Sequence, residues 1–459
     1  MDLIATKSFV TRLTVYVIAL VFYMSTSWTA VFAQDIAGGP EKQPVLRNPI
    51  GPMLGHIDHA QALLHYQAAE DGRYRMEVVE DQGSNTDWTG ALRQSSKARK
   101  ENDYCVKWRM EHLEPDTAYL YRVVQNKKII EQGGSFRTPA DPNQSAVVSL
   151  GFGSCVDSKY MKKFHDVWHQ VRKSKCEGFV MLGDTPYINS SKLQDIRPKR
   201  RQLLRLLNES RIIQQIPFWW TWDDHDSFEW GNVEQWKKDN CRHALMNHTA
   251  LDTYGENDQG IFTRFRRGPV EVFVLDTRWW HRTKPSFADR NKESLLGIPQ
   301  FEWLKRELKA STAPVKLLCC GVIWYKKGVN QVGFTEGDSW LDYPHEREAL
   351  FEFIGDQKIP GVLLIGGDIH ASSFCRFKTA KQTGYDMRSF TTSPLHDGAR
   401  AVHNYKDRDY IEWGAVVPNV FLRITVDSTV TPATITGSWI QMSGNTAHEV
   451  KMTVDDLKP

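Results

Sequence analysis

Residues 178–187 read Gly-Phe-Val-Met-Leu-Gly-Asp-Thr-Pro-Tyr, an apolar run that ends at a glycine and a carboxylate. A short apolar run with such a boundary predicts a buried strand. Other runs end in the same manner within residues 147–155, 217–226, 270–278 and 361–370. Amphipathic patterns between the runs predict helices over residues 161–173, 196–215, 233–250, 300–310 and 344–356. This alternation indicates an α/β domain, which we expect to occupy residues 145–445.

The ends of the five predicted strands carry side chains that can bind metals or move protons. They are Cys155, Asp184, Tyr187, Asp223, Asp224, His225, Asp276, Arg278, Asp368 and His370. In α/β sheets, ligands collect at the carboxyl ends of the strands. One such residue is usually a turn former or a helix cap, but five strand ends together are hard to explain in that way. Oxygen donors with a few imidazoles and one thiol favour redox-inert or ferric metals, and a carboxylate shared by two cations suits phosphoryl hydrolysis.

Residues 40–139 have a different pattern, in which short apolar and polar alternations are separated by polar turns. Three of the alternations, at residues 60–67, 73–79 and 104–110, have the length of strands. Tyr119 follows a Leu-x-Pro-x-Thr turn, as in fibronectin III-like modules. We therefore expect a small all-β domain of fibronectin III or immunoglobulin type. A packing or spacer role is favoured over substrate binding for this domain.

The first part of the chain, residues 1–33, has the layout of a cleavable signal peptide. Lys7 and Arg12 precede an apolar run over residues 13–23, and a small-residue stretch lies at residues 31–33. A transmembrane anchor is the alternative, but the apolar run is shorter than the ~18 residues that a membrane span needs. We expect a secreted or periplasmic protein with no stable membrane span after signal cleavage.

The composition excludes several classes of protein. Among 459 residues, 58 lysines and arginines balance 55 aspartates and glutamates, and the basic residues are dispersed. We therefore expect no surface for binding nucleic acid. Hydrophobic residues make up 41% of the chain, which is enough for a large core and excludes global disorder. Seven cysteines are too few for a disulfide scaffold, but an oxidising compartment leaves a disulfide open among Cys105, Cys176, Cys241 and Cys375.

The strand-end motifs occur in a set order along the chain. They are Gly153-Ser154-Cys155, Gly183-Asp184-x-x-Tyr187, Trp222-Asp223-Asp224-His225, Leu275-Asp276-x-Arg278 and Gly367-Asp368-x-His370. Over about residues 40–440 this set resembles the PhoD-type alkaline phosphatases of the calcineurin-like metallophosphatase superfamily. The resemblance implies a two-sheet β-sandwich flanked by helices, preceded by the small all-β domain.

The resemblance also implies a binuclear metal centre. Asp184 would be the carboxylate that bridges both metals. The first site, which holds Fe(3+) in this family, would be completed by Cys155, Tyr187 and His370. The second site, which would hold a divalent ion such as Ca(2+), would be formed by Asp224 and Asp368. These two aspartates stand where other metallophosphatases carry Asn and His, which favours a harder cation than zinc.

Two further residues would act on the substrate if the resemblance holds. His225 would face the phosphate or the leaving group, and Arg278 would stabilise charge on the phosphoryl oxygens. The nucleophile would be a metal-bound hydroxide. Asp223 and Asp276 are expected to support the strand ends rather than bind metal. Two departures from the family are Asp226 in place of a common Glu, and the lack of a further metal-binding histidine in residues 321–327.

The sequence therefore predicts an exported metal-dependent phosphoesterase with a small-molecule substrate and a monomeric state. Phosphomonoesters are the first expected substrates, and phosphodiesters are a further class. Two alternatives remain open at this point. One is a phosphodiesterase or a phospholipase D-like enzyme, and the other is an exported binding protein whose metallophosphatase-like domain is inactive.

Overall fold

The structure is a computed structural model that describes residues 48–157, 164–227, 233–325, 338–396, 398 and 409–459. Arg47–Pro459 form one compact unit. The predicted signal peptide at residues 1–33 lies outside the described residues, as do the start of the helix predicted from residue 161 and the last two residues of 321–327. Among the described residues, no helix has both the length and the apolar character needed to cross a membrane.

The first described part of the chain is all β, as the sequence predicts. Its strands are β1 (Ile50–Ile57), β2 (Ala62–Gln67), β3 (Gly72–Glu80), β4 (Leu92–Ala98), β5 (Cys105–Met110), β6 (Ala118–Gln125), β7 (Lys128–Glu131) and β8 (Ser135–Arg137). One antiparallel sheet has the order β1-β2-β5, and the other has the order β4-β3-β6-β7, with β8 also paired to β6. Tyr66 and Trp108 from the first sheet join Met76 and Tyr121 from the second in one hydrophobic cluster. The boundaries of this domain, 40–139, stay a prediction.

Two larger mixed sheets follow. Their strands are β9 (Val147–Gly153), β10 (Phe179–Leu182), β11 (Phe218–Thr221), β12 (Thr263–Arg267), β13 (Val270–Val274), β14 (Val315–Cys319), β15 (Val362–Gly366), β16 (Ser372–Phe377), β17 (Met387–Thr391), β18 (Ile411–Ala415), β19 (Val420–Asp427), β20 (Thr434–Gln441) and β21 (Thr446–Thr453). One sheet has the order β11-β10-β9-β19-β20-β21, and the other β12-β13-β14-β15-β17-β16-β18. Phe390 of β17 contacts Trp439 of β20 with ring centroids 5.6 Å apart, so the sheets share one core.

Helices connect these strands. Among the described residues they are α1 (Phe164–Lys173), α2 (Leu193–Glu209), α3 (Asp224–Ser227), α4 (Gln235–His248), α5 (Ile298–Ala310), α6 (Pro344–Asp356) and α7 (Ala380–Thr383). Helix α6 has the bounds that the sequence predicts, because Pro344 suits the first turn of a helix. Helix α2 begins at Leu193 rather than at residue 196 and ends at Glu209 rather than at residue 215. The short helix α3 was not predicted.

The order of strands brings the predicted strand ends to one side of the sandwich. Strands β9, β10 and β11 run parallel in one sheet, and β13, β14 and β15 run parallel in the other. Carboxyl ends of parallel strands lie at a common edge. The two edges are also linked, since the backbone N–H of Asp368 after β15 donates to Oγ of Ser154 after β9 (3.2 Å). Strand β9 itself lies between β10 and β19, and its pairing with β19 is antiparallel.

The structure contradicts the disulfide that the sequence left open. All seven cysteines are buried, and each is a thiol rather than half of a disulfide. Cys105 lies in β5, Cys241 in α4 and Cys375 in β16, while Cys176 follows α1. Each of these thiols occupies a separate element of the fold, where it fills space as a small hydrophobic side chain.

Candidate metal centre

Four aspartates from three strand ends converge at the common edge of the two sheets. Asp184 follows β10, Asp223 and Asp224 follow β11, and Asp368 follows β15. One carboxylate oxygen from each lies within 4.8 Å of the others. Three of the four side chains are buried and Asp368 is half-buried. Carboxylates this close in a buried site repel one another strongly, and a bound cation, a buried arginine or protonation relieves that repulsion.

Close approach of the two loops depends on Gly183. This residue has a φ of +98°, and a Cβ at its position would lie 2.7 Å from the backbone nitrogen of Asp223. Asp184 follows with a positive φ of 54°. A glycine is the residue that permits both the conformation and the contact. The sequence Gly-Asp after β10 therefore fixes where the carboxylate of Asp184 lies.

The negative charge and the burial of the cluster favour the binding of cations. Burial and the neighbouring charges of Asp224, Asp223 and Asp368 raise the pKa of Asp184 well above its usual value. Oδ1 of Asp224 is buried and accepts no hydrogen bond among the described residues, and Nη2 of Arg278 lies 3.9 Å from it. An unpaired buried carboxylate oxygen is costly unless a cation or a donor meets it. The donor set is thus consistent with hard cations bound among these four aspartates.

Cys155 lies directly beside this cluster. Its Sγ is 3.6 Å from Oδ2 of Asp184 and 3.3 Å from the backbone oxygen of Asp368. Oγ–H of Ser393 donates to the same sulfur at 3.1 Å. Burial, with the charges of Asp184 and Asp368, raises the pKa of the Cys155 thiol well above its usual value. A cation at this position would reverse that effect and favour the thiolate.

Tyr187 and His370 occupy the same side of the cluster as Cys155. Oη of Tyr187 lies 2.5 Å from Nε2 of His370. Burial and the adjacent charge of Cys155 raise the pKa of the Tyr187 phenol well above its usual value. Nδ1 of His370 is 2.8 Å from the backbone oxygen of Gly398, which can only accept a hydrogen bond. Nδ1 therefore carries the proton, and in the neutral ring the lone pair is on Nε2, the nitrogen that faces Tyr187.

His225 lies in the short helix α3, next to Tyr187. Its ring contacts the ring of Tyr187 with centroids 4.0 Å apart and planes tilted by 34°. Its backbone N–H donates to Oδ1 of Asp184 (3.2 Å), and a ring nitrogen is within 4.8 Å of oxygens of Asp184 and Asp224. Burial lowers the pKa of His225, so the neutral imidazole is favoured at alkaline pH.

Arg278 is almost completely buried, whereas a group that binds phosphate from solvent is expected to be partly exposed. Its side chain is 1% exposed. Nη2 lies 2.5 Å from Oδ1 of Asp223 and 2.5 Å from Oδ1 of Asp338, while Oδ1 of Asp224 is 3.9 Å away. In this arrangement the guanidinium is a counter-charge inside the acidic cluster. Its predicted contact with phosphoryl oxygens stays a prediction.

Asp338 belongs to the site through its contact with Arg278, although the strand-end pattern of the sequence does not indicate it. It does not follow a predicted strand. Its backbone neighbour Ser339 forms an isolated bridge with Ile323, which places Asp338 beside the loop after β14. No strand-end pattern marks this residue in the sequence, since it lies 19 positions after Cys319, the last residue of β14.

Asp276 and Asp226 accept hydrogen bonds, mostly from backbone N–H groups around the cluster. Oxygens of Asp276 accept hydrogen bonds from the indole of Trp222 (2.7 Å) and from the backbone N–H groups of Ile261, Arg278 and Trp279 (2.9 Å each). Oδ2 of Asp226 accepts from the backbone N–H groups of Thr185 (3.3 Å) and Asp223 (3.1 Å). Asp226 therefore joins the loop after β10 to the loop after β11. Burial raises the pKa of Asp226 to about 6.

Asp226 also pairs with a buried arginine, which gives a testable result. Nη2 of Arg200 lies 3.4 Å from Oδ1 of Asp226, and both side chains are at most 3% exposed. We expect Asp226→Ala to lower the free energy of unfolding by about 3–5 kcal/mol, because Arg200 would be left as an unpaired buried charge. Urea unfolding of the metal-loaded protein measures this. The double variant Asp226→Leu, Arg200→Met should recover part of the loss, and no recovery would contradict the pair.

Comparisons with known proteins agree with this fold. A family model described as PhoD-like phosphatase matches residues 150–419. Alkaline phosphatase D of Bacillus subtilis (strain 168) is 26% identical over 305 residues, covering 57% of this chain and 52% of that protein. The match therefore spans about half of the length of that curated relative.

Two solved structures share the fold. A structure of PhoD has a TM-score of 0.70 at 20% identity and covers 90% of this chain and 94% of its own. The purple acid phosphatase PPD1 from yellow lupin (Lupinus luteus) seeds has a TM-score of 0.67 at 13% identity, with 88% and 74% covered. Identities this low show the fold alone. The predicted fold class, a two-sheet metallophosphatase-like sandwich preceded by a small all-β region, is confirmed.

Proposed function

Because this chain belongs to the PhoD-like phosphatase family, we propose that it is an exported, metal-dependent phosphoesterase that hydrolyses phosphomonoesters. The observation that carries the proposal is the cluster of Asp184, Asp223, Asp224 and Asp368, whose oxygens converge within 4.8 Å. The name of the curated relative, alkaline phosphatase D, supports the monoester as first substrate. Phosphodiesters are a further substrate class that the same chemistry would accept.

We infer that two cations share Asp184. Cys155, Tyr187 and His370 would complete a site for Fe(3+), since a thiolate and a phenolate are anionic donors that a trivalent ion favours. Asp224 and Asp368 would hold a divalent ion, with Ca(2+) as the expected one, since both supply oxygen donors. When bound, the metals would lower the pKa of a water molecule and polarise the phosphoryl oxygens.

The residues of the chain itself would orient the substrate and balance charge. His225 lies at the rim of the cluster, where it can form a hydrogen bond with a phosphoester or its leaving group. Arg278, held by Asp223 and Asp338, would offset part of the negative charge of the site. The depth of the cluster would keep water other than the reacting one away and so strengthen these interactions.

The remaining expectations belong to the same proposal. We propose that residues 1–33 direct export and that the mature protein is a secreted or periplasmic monomer. We also propose that residues 40–139 and 145–445 are separate domains of it. Amino-terminal sequencing of protein recovered from the exporting host would test the cleavage, and size measurement by light scattering would test the monomer.

Elemental analysis combined with a phosphoester panel tests the function. We expect the purified protein to contain iron and a divalent metal, about two metals per chain in all. A strong chelator should abolish hydrolysis of p-nitrophenyl phosphate, and re-addition of both metals should restore it. Faster turnover of bis(p-nitrophenyl) phosphate than of p-nitrophenyl phosphate would identify the protein as a phosphodiesterase rather than a phosphomonoesterase. Full metal occupancy without turnover on any ester would contradict the proposal and favour a binding protein.

A further inference from the structure

The loop after β10 forms hydrogen bonds with both the backbone and the side chain of His225. The backbone N–H groups of Ile188 and Asn189 both donate to the backbone oxygen of His225 (3.0 Å each). The side chain of Asn189 reaches the imidazole of the same residue, with its Oδ1 2.5 Å from Nδ1. One loop residue thus contacts both the backbone and the ring of His225.

The contact with Asn189 assigns the proton on the ring. A carboxamide oxygen can only accept a hydrogen bond, so Nδ1 of His225 is the donor. In the neutral imidazole the lone pair is then on Nε2. The ring of Tyr187, with its centroid 4.0 Å away and its plane tilted by 34°, restricts movement of the imidazole on one side, while the hydrogen bond fixes its rotation. The tautomer and orientation of His225 are therefore set from outside the acidic cluster.

The backbone of Asn189 explains why this residue type stands here. Its φ is 54°, in the left-handed region where asparagine is among the few favoured residues other than glycine. Glycine would fit the backbone but would supply no acceptor for Nδ1. Asparagine meets both requirements, and aspartate is the residue closest to it in shape and in acceptor position.

We propose that Asn189 is a positioning residue that fixes the tautomer and ring orientation of His225 for the reaction. The inference rests on the proposed phosphoesterase function, since His225 is the group it would orient. Hydrogen-bond partners that orient metal-ligating histidines typically account for about 10–100-fold in metal affinity or activity, and we expect an effect of that size on the activity that depends on His225. The side chain of Asn189 would act in this way.

Three variants separate the side chain from the loop that carries it. Asn189→Gly keeps the left-handed backbone and removes the acceptor, so kcat on p-nitrophenyl phosphate should fall by about 10–100-fold with KM nearly unchanged. Asn189→Asp keeps an acceptor at the same position and should restore most of kcat. The control is Asn240→Ala, which removes a hydrogen bond from Nδ2 to the backbone oxygen of Ser191 in the same loop (3.0 Å) but leaves His225 untouched.

A second measurement does not depend on activity. Long-range ¹H–¹⁵N correlation spectra of metal-free protein labelled at histidine nitrogens report which ring nitrogen carries the proton. We expect the Nδ1–H form for His225 in the wild type, identified by the signals that vanish in His225→Gln. Asn189→Gly should shift the ring toward a mixture of tautomers, and Asn189→Asp should keep the Nδ1–H form.

The outcomes are distinct. Wild-type kcat in Asn189→Gly, an equal loss in Asn240→Ala, or an Asn189→Asp variant as slow as Asn189→Gly would each overturn the proposal. An Nε2–H wild-type ring would overturn it as well. A wild-type protein without turnover on any phosphoester would refute the proposed function, whereas the spectra would still decide whether Asn189 sets the tautomer.

Discussion

Asp184→Asn should lower kcat/KM for p-nitrophenyl phosphate by about 1,000-fold or more, equivalent to about 4 kcal/mol of transition-state stabilisation. Asp184 is the carboxylate that both proposed cations share, and an amide offers a neutral oxygen in its place. A metal pair that is lost or displaced no longer clamps the phosphoryl group. Steady-state kinetics and elemental analysis of the same preparation would measure both losses together.

The same substitution should have opposite effects on stability in the two metal states. Without metals, the variant should unfold at a higher temperature than the wild type. The carboxylate of Asp184 is buried among other carboxylates that repel it and raise its pKa, and an uncharged amide would not be repelled in this way. With metals supplied, the wild type should be the more stable one, since bound cations stabilise the native state by mass action.

A matched control removes one carboxylate charge from a position outside the acidic cluster. Asp239 lies on the exposed face of α4 and accepts a hydrogen bond from Gln235. Asp239→Asn should change neither the metal content nor the activity. Full activity and full metal content in Asp184→Asn would show that this residue is not the bridging ligand.

Arg278→Met should lower the free energy of unfolding by about 3–5 kcal/mol, because it leaves Asp223 and Asp338 without their buried counter-charge. The loss should be larger in metal-free protein, where no cation compensates the cluster. Urea unfolding in both metal states measures the difference. A guanidinium whose only role was to bind phosphate would leave the stability of the substrate-free protein nearly unchanged.

Arg264 provides the comparison for this second experiment. It also contacts two carboxylates, those of Glu271 (2.6 Å) and Glu307 (2.9 Å), but its side chain is 46% exposed. Exposed ion pairs contribute about 0–1 kcal/mol each. Arg264→Met should therefore cost much less than Arg278→Met, and equal losses would contradict the counter-charge role. Asp338→Leu combined with Arg278→Met should recover part of the stability.

The sequence could predict which residues end the buried strands, and hence most of the cluster. An apolar run that stops at Gly-Asp, as at Asp184, reports a strand end directly, and parallel strands bring such ends together. Asp338 and Asn189 could not be found in this way. Their roles depend on contacts that exist only in the folded chain, that of Asp338 with Arg278 and that of Asn189 with His225, and the spacing of residues along the chain does not encode these contacts.

The charged neighbours and the burial of Arg278 and Asp226 could not be predicted from the sequence either. Arg278 was expected at the phosphate because the family resemblance implies that contact, yet its pairing with Asp223 and Asp338 depends on a three-dimensional arrangement of acids. Asp226 stood out only as a shorter carboxylate than the family's Glu. Its actual contacts, with Arg200 and two backbone N–H groups, show that the shorter side chain fits between two loops. The sequence left a disulfide open, and the structure has none, because the number of cysteines does not report which elements lie side by side.

The pairing of β9 with β19 has a consequence for the order of folding. Strand β9 leads into Cys155, but its partner β19 begins more than 260 residues later in the chain, at Val420. Until β19 arrives, one edge of β9 is open and can pair with another chain. A contact so distant in sequence also slows folding, since a long loop must close first. Assembly of the cysteine side of the centre therefore waits for late segments of the chain, and a truncation before Val420 would leave an aggregation-prone edge beside it.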